Sequence, residues 1–164
     1  MKSGVSIMKN FLLGVVILFT LSNCGKEKCE FNECGMKAPD SEIQSLQSYL
    51  QSNSITATQH CSGIFYTLQQ QGTGTRPTAC GNVSVYYKGM LTNGNIFDQT
   101  SPNQPAVFNL NGLIPGFKIG MLQLKSGGKM TLYIPPSLGY GAANDPTIPA
   151  NSVLIFEIEL LDAN

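Results

Sequence analysis

The sequence predicts an α+β domain: short strands with one wet and one dry face, joined by tight turns and covered by a short helix. Three observations carry this. The 164 residues include 17 Gly and 9 Pro, which supply the turns of a β-rich chain. Apolar and polar residues alternate with period two in several short stretches, the pattern of half-buried strands. Between these stretches, Phe117, Met121 and Leu124 recur at helical spacing. A sheet with one dry face needs a helix to cover it.

Formal net charge is zero and only 12% of residues are charged. No basic patch is present, so nucleic-acid binding is not expected. Lys2 and Lys9 precede an apolar run from Phe11 to Leu21. That run is too short to span a bilayer but suits the core of a signal peptide. Leu21-Ser-Asn-Cys24 follows, and it resembles the bacterial lipobox. There the cysteine sulfur receives lipid and cleavage makes Cys24 the new N-terminus. Asn23 stands where Gly, Ala or Ser is usual. The expected division is therefore 1–23 signal peptide, 24–39 tether, 40–60 N-terminal helix and linker, and 61–164 globular domain. Loss of Lys2 and Lys9 leaves eight basic against ten acidic residues, a net charge of −2. Attachment to a membrane then rests on lipid, each buried methylene adding about 0.8 kcal/mol.

Beyond Cys24, four cysteines remain: Cys29, Cys34, Cys61 and Cys80. An even number in an exported chain favours disulfides. Three pairings are open. Cys29–Cys34 and Cys61–Cys80 is the expected one, because the first two share the tether and the others flank the first strand. A metal would have to recruit His60 beside Cys61, but this spacing fits no common zinc pattern, and no metal is expected. His60 itself is expected at the surface.

Gly25 to Pro39 reads as a polar linker that spaces the domain from the membrane. Asp40-Ser41 can cap a helix, and Glu42 favours its first turn. Ile43, Leu46, Tyr49 and Leu50 give that helix an apolar stripe to about Ser52. Ile64 to Gln70 reads as a strand. Val83, Val85 and Tyr87 share one face of the next strand, and Ser84, Tyr86 and Lys88 the other. Asn93-Gly94 marks a tight turn, and Ile96-Phe97-Asp98 is the returning strand. Ala106 to Leu110 is a further strand. Pro115 suits the first turn of a helix, and Gly127 is expected to end it. Met130 to Ile134 is stopped by Pro135-Pro136. Residues 138–152 form a loop rich in small residues. In the last strand Leu154, Phe156, Ile158 and Leu160 face inward, and Glu157 and Glu159 outward.

A tyrosine on an apolar face and an Asp beside a Phe suggest an aromatic pocket with polar handles. Five motifs in register sharpen this: Val83–Asp98, Leu113-Ile-Pro-Gly-Phe117, Pro135-Pro136, Tyr140-Gly-Ala-Ala and Ile148–Leu161. Their succession, from about Gly63 to Leu161, resembles the FKBP-type peptidyl-prolyl cis-trans isomerases. The resemblance implies an FKBP-like topology, a twisted antiparallel sheet wrapped around one short α-helix. It implies that Tyr87, Phe97, Leu113, Phe117 and Phe156 wall a proline ring and that Asp98 is polar at the rim. It also implies that the Ile114 N–H and the Tyr140 hydroxyl bond carbonyls of the peptide, and that Ile148 shapes the loop side. Phe117 stands where well-studied members carry Trp, Ala106 replaces a rim aromatic, and Asp145 lies near where some members have a histidine.

The residues contain no nucleophile with a base and no phosphate loop, which suits a reaction without covalent chemistry or cofactor. The expected function is isomerisation of X–Pro bonds in proline-containing exported polypeptides. Macrolide-type ligands of the family would enter the same pocket. The other reading is a chaperone or binding module, or an accessory subunit of an envelope machine. Here the sequence is reminiscent of FKBP lipoproteins linked to gliding motility in Bacteroidota. Some lipoprotein members dimerise through N-terminal helices, but this helix is short and is expected to pack on its own domain. The expected location is the cell envelope, lipid-anchored. Gly25 after the cysteine favours an outer membrane, facing the periplasm or, through Lys26, Glu27, Lys28 and Glu30, the surface.

Overall fold

The computed structural model describes residues 29–143 and 146–164. Cys24, the signal segment and Asp145 lie outside the described residues. Helix α1 spans Asp40–Ser52, and strands follow as β1 (Thr58–Gln59), β2 (Phe65–Gln70), β3 (Asn82–Leu91), β4 (Ile96–Gln99) and β5 (Ala106–Asn109). Helix α2 (Pro115–Met121), β6 (Gly128–Ile134) and β7 (Leu154–Ala163) complete the order. The sheet is ordered β1-β2-β6-β7-β3-β4, with β5 also on β3. Every pairing is antiparallel.

The register explains the two faces. Across β6, β7 and β3, Leu132, Phe156 and Gly89 form one row, and Met130, Ile158 and Tyr87 the next. These rows face α2. On the outer face Lys129 meets Glu159 at 3.0 Å and Lys88 meets Glu157 at 2.6 Å, opposite charges placed across neighbouring strands. The expected wet face is interrupted by one row, Phe65, Tyr133 and Ile155, which is buried. Tyr49 of α1 lies near enough to Tyr133 to affect its ionisation. Helix α1 packs Ile43, Leu46 and Leu50 into the same continuous core, as expected of a helix that stays on its own domain. Its Glu42 accepts from the N–H and hydroxyl of Ser137, at 2.9 and 2.8 Å.

Helix α2 can lie close to β6 because its inner face is glycine. A Cβ at Gly116 would overlap Ile134, and one at Gly120 would overlap Leu132. Pro115 occupies the first turn, as expected. The helix is shorter than expected, however, and stops at Met121. Gly127, with φ +81°, instead turns the chain into β6 through N–H bonds to Leu160 and, at Gly128, to Lys125. Asp40 is the first helical residue and not the cap; Pro39 precedes it without a side-chain bond. The Asp40 carboxylate pairs with Lys37 at 2.7 Å and sits at the positive end of the helix dipole.

Candidate functional site

Residues 29–38 are a strap bound to the domain, and the expected disulfide pairing is overturned. Cys29 bonds Cys80, and Cys34 bonds Cys61. Proximity in sequence misled here, because it takes no account of the strap folding back over the domain. Ala38 N–H donates to the Ser62 carbonyl at 2.8 Å, and Glu33 accepts from Gln123 Nε2 at 2.7 Å. From Cys29 onward the segment is thus no free spacer. Donor atoms of Cys34, His60 and Cys61 lie within 4.8 Å of one another, but both sulfurs are used in the disulfide. His60 is not a surface residue: its side chain is 14% exposed and lies 3.4 Å from Glu33 and 2.9 Å from the Ser62 hydroxyl.

Between the sheet and α2 opens a cavity of about 270 Å³. Tyr87, Phe108, Phe117 and Phe156 form aromatic walls, Gly112–Leu113–Ile114 forms one side, and Asp98 and Tyr140 supply polar atoms. Phe117, first turn of α2, meets Phe156 edge-on with ring centres 5.1 Å apart. Tyr87 lies 6.3 Å from both and 5.7 Å from Phe108. The edge-on contacts of Phe117 with Phe156 and Tyr87 hold these rings in fixed orientations.

A β-bulge delivers the carboxylate. Gly89 pairs with Asp98 but Met90 pairs with Ile96, so Phe97 is the extra residue in β4. Strict alternation would send Phe97 and Asp98 to opposite faces; the bulge re-aims them. Asp98 enters the row of Gly89 and Phe156. Phe97 drops onto Gly89, where a Cβ would stand 2.7 Å from its ring, and meets Phe156 edge-on at 5.5 Å. It therefore backs the wall and does not line the cavity. Ile148 likewise does not line it, and is buried in the core.

The Tyr87 hydroxyl donates to Asp98 Oδ2 at 2.5 Å. Burial first, then the hydrogen bond to Asp98 and its charge, push the Tyr87 pKa well above the ordinary tyrosine value. Tyr87 stays a neutral donor to Asp98. Tyr140 is 45% exposed. It follows the 3-10 turn Pro136–Leu138, in a loop held by Gly141 N–H to the Pro136 carbonyl at 2.8 Å and Asn151 N–H to the Gly141 carbonyl at 2.7 Å. Ile114 is the N-cap of α2, its carbonyl accepting from Phe117 and Lys118.

Sequence reasoning missed Phe108 and Gly112. Phe108 could have been found: it lies two residues from Ala106 in β5, hence on the same face, and supplies the aromatic that Ala106 lacks. Gly112 carried no signal, since a glycine in a turn is ordinary.

The profile of the FKBP-type peptidyl-prolyl cis-trans isomerase family matches residues 74–161. FkpA of Escherichia coli K12 is 45% identical over 101 residues, which is 61% of this chain and 37% of that protein. A probable FKBP-type isomerase of Haemophilus influenzae is 40% identical over 105 residues, 63% of this chain and 44% of that one. The chain thus spans about two fifths of the length of these curated relatives. The crystal structure of E. coli FkpA superposes with a TM-score of 0.68 at 36% identity, covering 76% of this chain and 60% of that one. A peptidyl-prolyl cis-trans isomerase from Pseudomonas syringae gives 0.67 at 32% identity, covering 78% and 98%. The chain belongs to the FKBP-type peptidyl-prolyl cis-trans isomerase family. Its fold is that of the family, α+β with an antiparallel sheet wrapped on one short helix.

Proposed function

We propose that the chain accelerates cis–trans rotation of X–Pro bonds in exported polypeptides, without covalent chemistry. The observation that carries this is the cavity: an aromatic box with a carboxylate and a tyrosine hydroxyl at its edge. Rotation of an amide faces a barrier of about 18–20 kcal/mol because resonance must be broken. The planar amide is more dipolar than the twisted one, so an apolar box favours the twisted form. Phe117, Phe156, Tyr87 and Phe108 hold the proline ring while the preceding residue turns. The Ile114 N–H and the Tyr140 hydroxyl bond the flanking carbonyls. Bonds that fit only the twisted geometry lower the barrier. Asp98 fixes the Tyr87 ring through its hydroxyl, and Leu113 completes the apolar wall. Phe97 supports Phe156 from behind. Macrolide-type ligands of the family would compete for the same box.

The test is a protease-coupled assay on proline tetrapeptides. A rate above buffer, greatest with an apolar residue before proline, is expected. A folded sample no faster than buffer would overturn the enzyme reading and leave a chaperone or binding module built on the same cavity. We further propose that Cys24 carries lipid and anchors the chain in the cell envelope. The lipobox-like tetrad after an apolar run supports this. Cys24→Ser should abolish labelling by a fatty-acid analogue and release the protein to the soluble fraction; persistent labelling would refute it.

A further inference from the structure

We propose that the N-terminal strap is a working part of the cavity, acting through Lys118 as a positioning residue. Phe31 seats the Lys118 ammonium, and Lys118 in turn fixes the turn that forms one cavity wall. What the cavity does rests on the isomerase reading; the strap's hold on the wall does not.

Lys118 follows the cavity residue Phe117 and is 8% exposed. A buried ammonium is costly unless it is partnered. Among the described residues it forms no ion pair with a carboxylate. Its partners are Asn111 Oδ1, which accepts from Nζ at 3.0 Å, and the Phe31 ring, whose centre lies 4.7 Å from Nζ. The second is a cation–π contact within the usual reach of about 6 Å. Phe31 lies two residues after Cys29, which is bonded to Cys80.

From Cys80 the contacts return to the same place. The Cys80 carbonyl accepts from Asn109 Nδ2 at 3.1 Å, and Asn109 Oδ1 accepts from the Asn111 N–H at 3.0 Å. A closed circuit therefore runs from Cys29 through Cys80, Asn109, Asn111 and Lys118 to Phe31. It surrounds the 3-10 turn Leu110–Gly112, and the residues leaving that turn are the wall, Leu113 and Ile114. The turn's own bond is weak: Leu113 N–H reaches the Leu110 carbonyl at 3.4 Å, long for N–H···O. The entry of the turn is held by the backbone, Leu110 N–H to the Gly81 carbonyl at 3.0 Å; at its exit, side chains linked to the strap supplement the long Leu113 bond. The Ile114 N–H can serve a substrate carbonyl only where that hold puts it.

The experiment uses the full chain in mild detergent, with Lys118→Met, Lys118→Arg and Phe31→Ala. It reads hydrogen exchange at Gly112–Ile114 alongside the peptide assay. Lys118→Met and Phe31→Ala should speed exchange there at least about tenfold while β6 and β7 amides stay unchanged. Efficiency should fall about 3–10-fold, a fraction of the roughly hundredfold that a 1 Å misplacement costs. Lys118→Arg keeps charge, ring contact and donor, and should restore both readouts. Wild-type exchange at Gly112–Ile114 in Lys118→Met overturns the proposal, as does loss of efficiency only in step with melting temperature. If Lys118→Met does not fold, Phe31→Ala decides by the same criteria. If the native chain shows no isomerase activity, the functional reading fails, and the exchange pattern alone still confirms or overturns the strap's hold.

Discussion

The side chains at the cavity divide into those that supply surface and those that supply a polar atom. Phe117 is a surface residue in this sense, buried against Phe156. Phe117→Ala should cost about 3–5 kcal/mol of stability together with substrate binding. Tyr140→Phe keeps the ring and deletes one hydroxyl. It should lower catalytic efficiency by about 0.5–1.5 kcal/mol, several-fold, with little change in melting temperature. If Tyr140→Phe and Asp98→Asn are both fully active, the placement of the polar groups is wrong. Tyr87 adds a pH signature. Its pKa is raised in the folded chain by burial, then by Asp98, so folding favours the protonated hydroxyl. That contribution is complete below the unfolded value of about 10 and is lost as pH rises through the higher folded value. Melting temperature should therefore fall less steeply above pH 10 in Tyr87→Phe than in the native chain. An identical slope would show that Tyr87 ionises alike in the folded and unfolded chain, against the shift that burial and Asp98 impose.

Among the elements, α2 and the β3–β4 hairpin place the cavity. Helix α2 approaches the sheet through Gly116 and Gly120, each of which leaves no room for a Cβ. Alanine is the better helix former by about 1 kcal/mol, so propensity alone would make Gly116→Ala stabilising. Overpacking a closed core costs about 1–3 kcal/mol, and Ile134 and Leu132 are fully buried. We expect both alanine variants to melt lower than the native chain. A higher melting temperature for either would mean that the helix can ride outward without loss. In the hairpin, only Gly94 of the Asn93-Gly94 pair takes positive φ, +86°. Gly89 does the more consequential work, since it accommodates the Phe97 ring and with it the bulge that turns Asp98 inward.

For the whole molecule, two disulfides bind the strap to the domain across 51 and 27 residues. By the chain-entropy argument, loops of this length contribute about 3.5–4 kcal/mol each. Peptide mapping without reductant should recover Cys29 with Cys80 and Cys34 with Cys61. Recovery of Cys29 with Cys34 would reject the docked strap. Helix α1 is the other addition to the family domain, and Leu46 on it is fully buried. Leu46→Ala should cost about 2–5 kcal/mol, where a helix loosely tethered to the domain would lose almost nothing.

The chain read as a string yields the α+β class, the strands after β1 from their period of two, α1 from its stripe, and the family from motifs in register. Tyr87, Asp98, Leu113, Ile114, Phe117, Tyr140 and Phe156 were legible through the family's motifs, while periodicity alone gave only the faces of Tyr87, Phe117 and Phe156. What periodicity cannot see is a break in itself. The bulge at Phe97 breaks the alternation of β4, and it depends on Gly89 in another strand. The disulfide partners come from a strap folding back on the domain. The buried Lys118 is meaningful only with Phe31, 87 residues earlier, and Asn111 beside it. These contacts join residues far apart in sequence, or ones whose orientation other elements set. Their energy comes from groups that become neighbours only once the sheet has closed on α2, so no local pattern in the chain announces them.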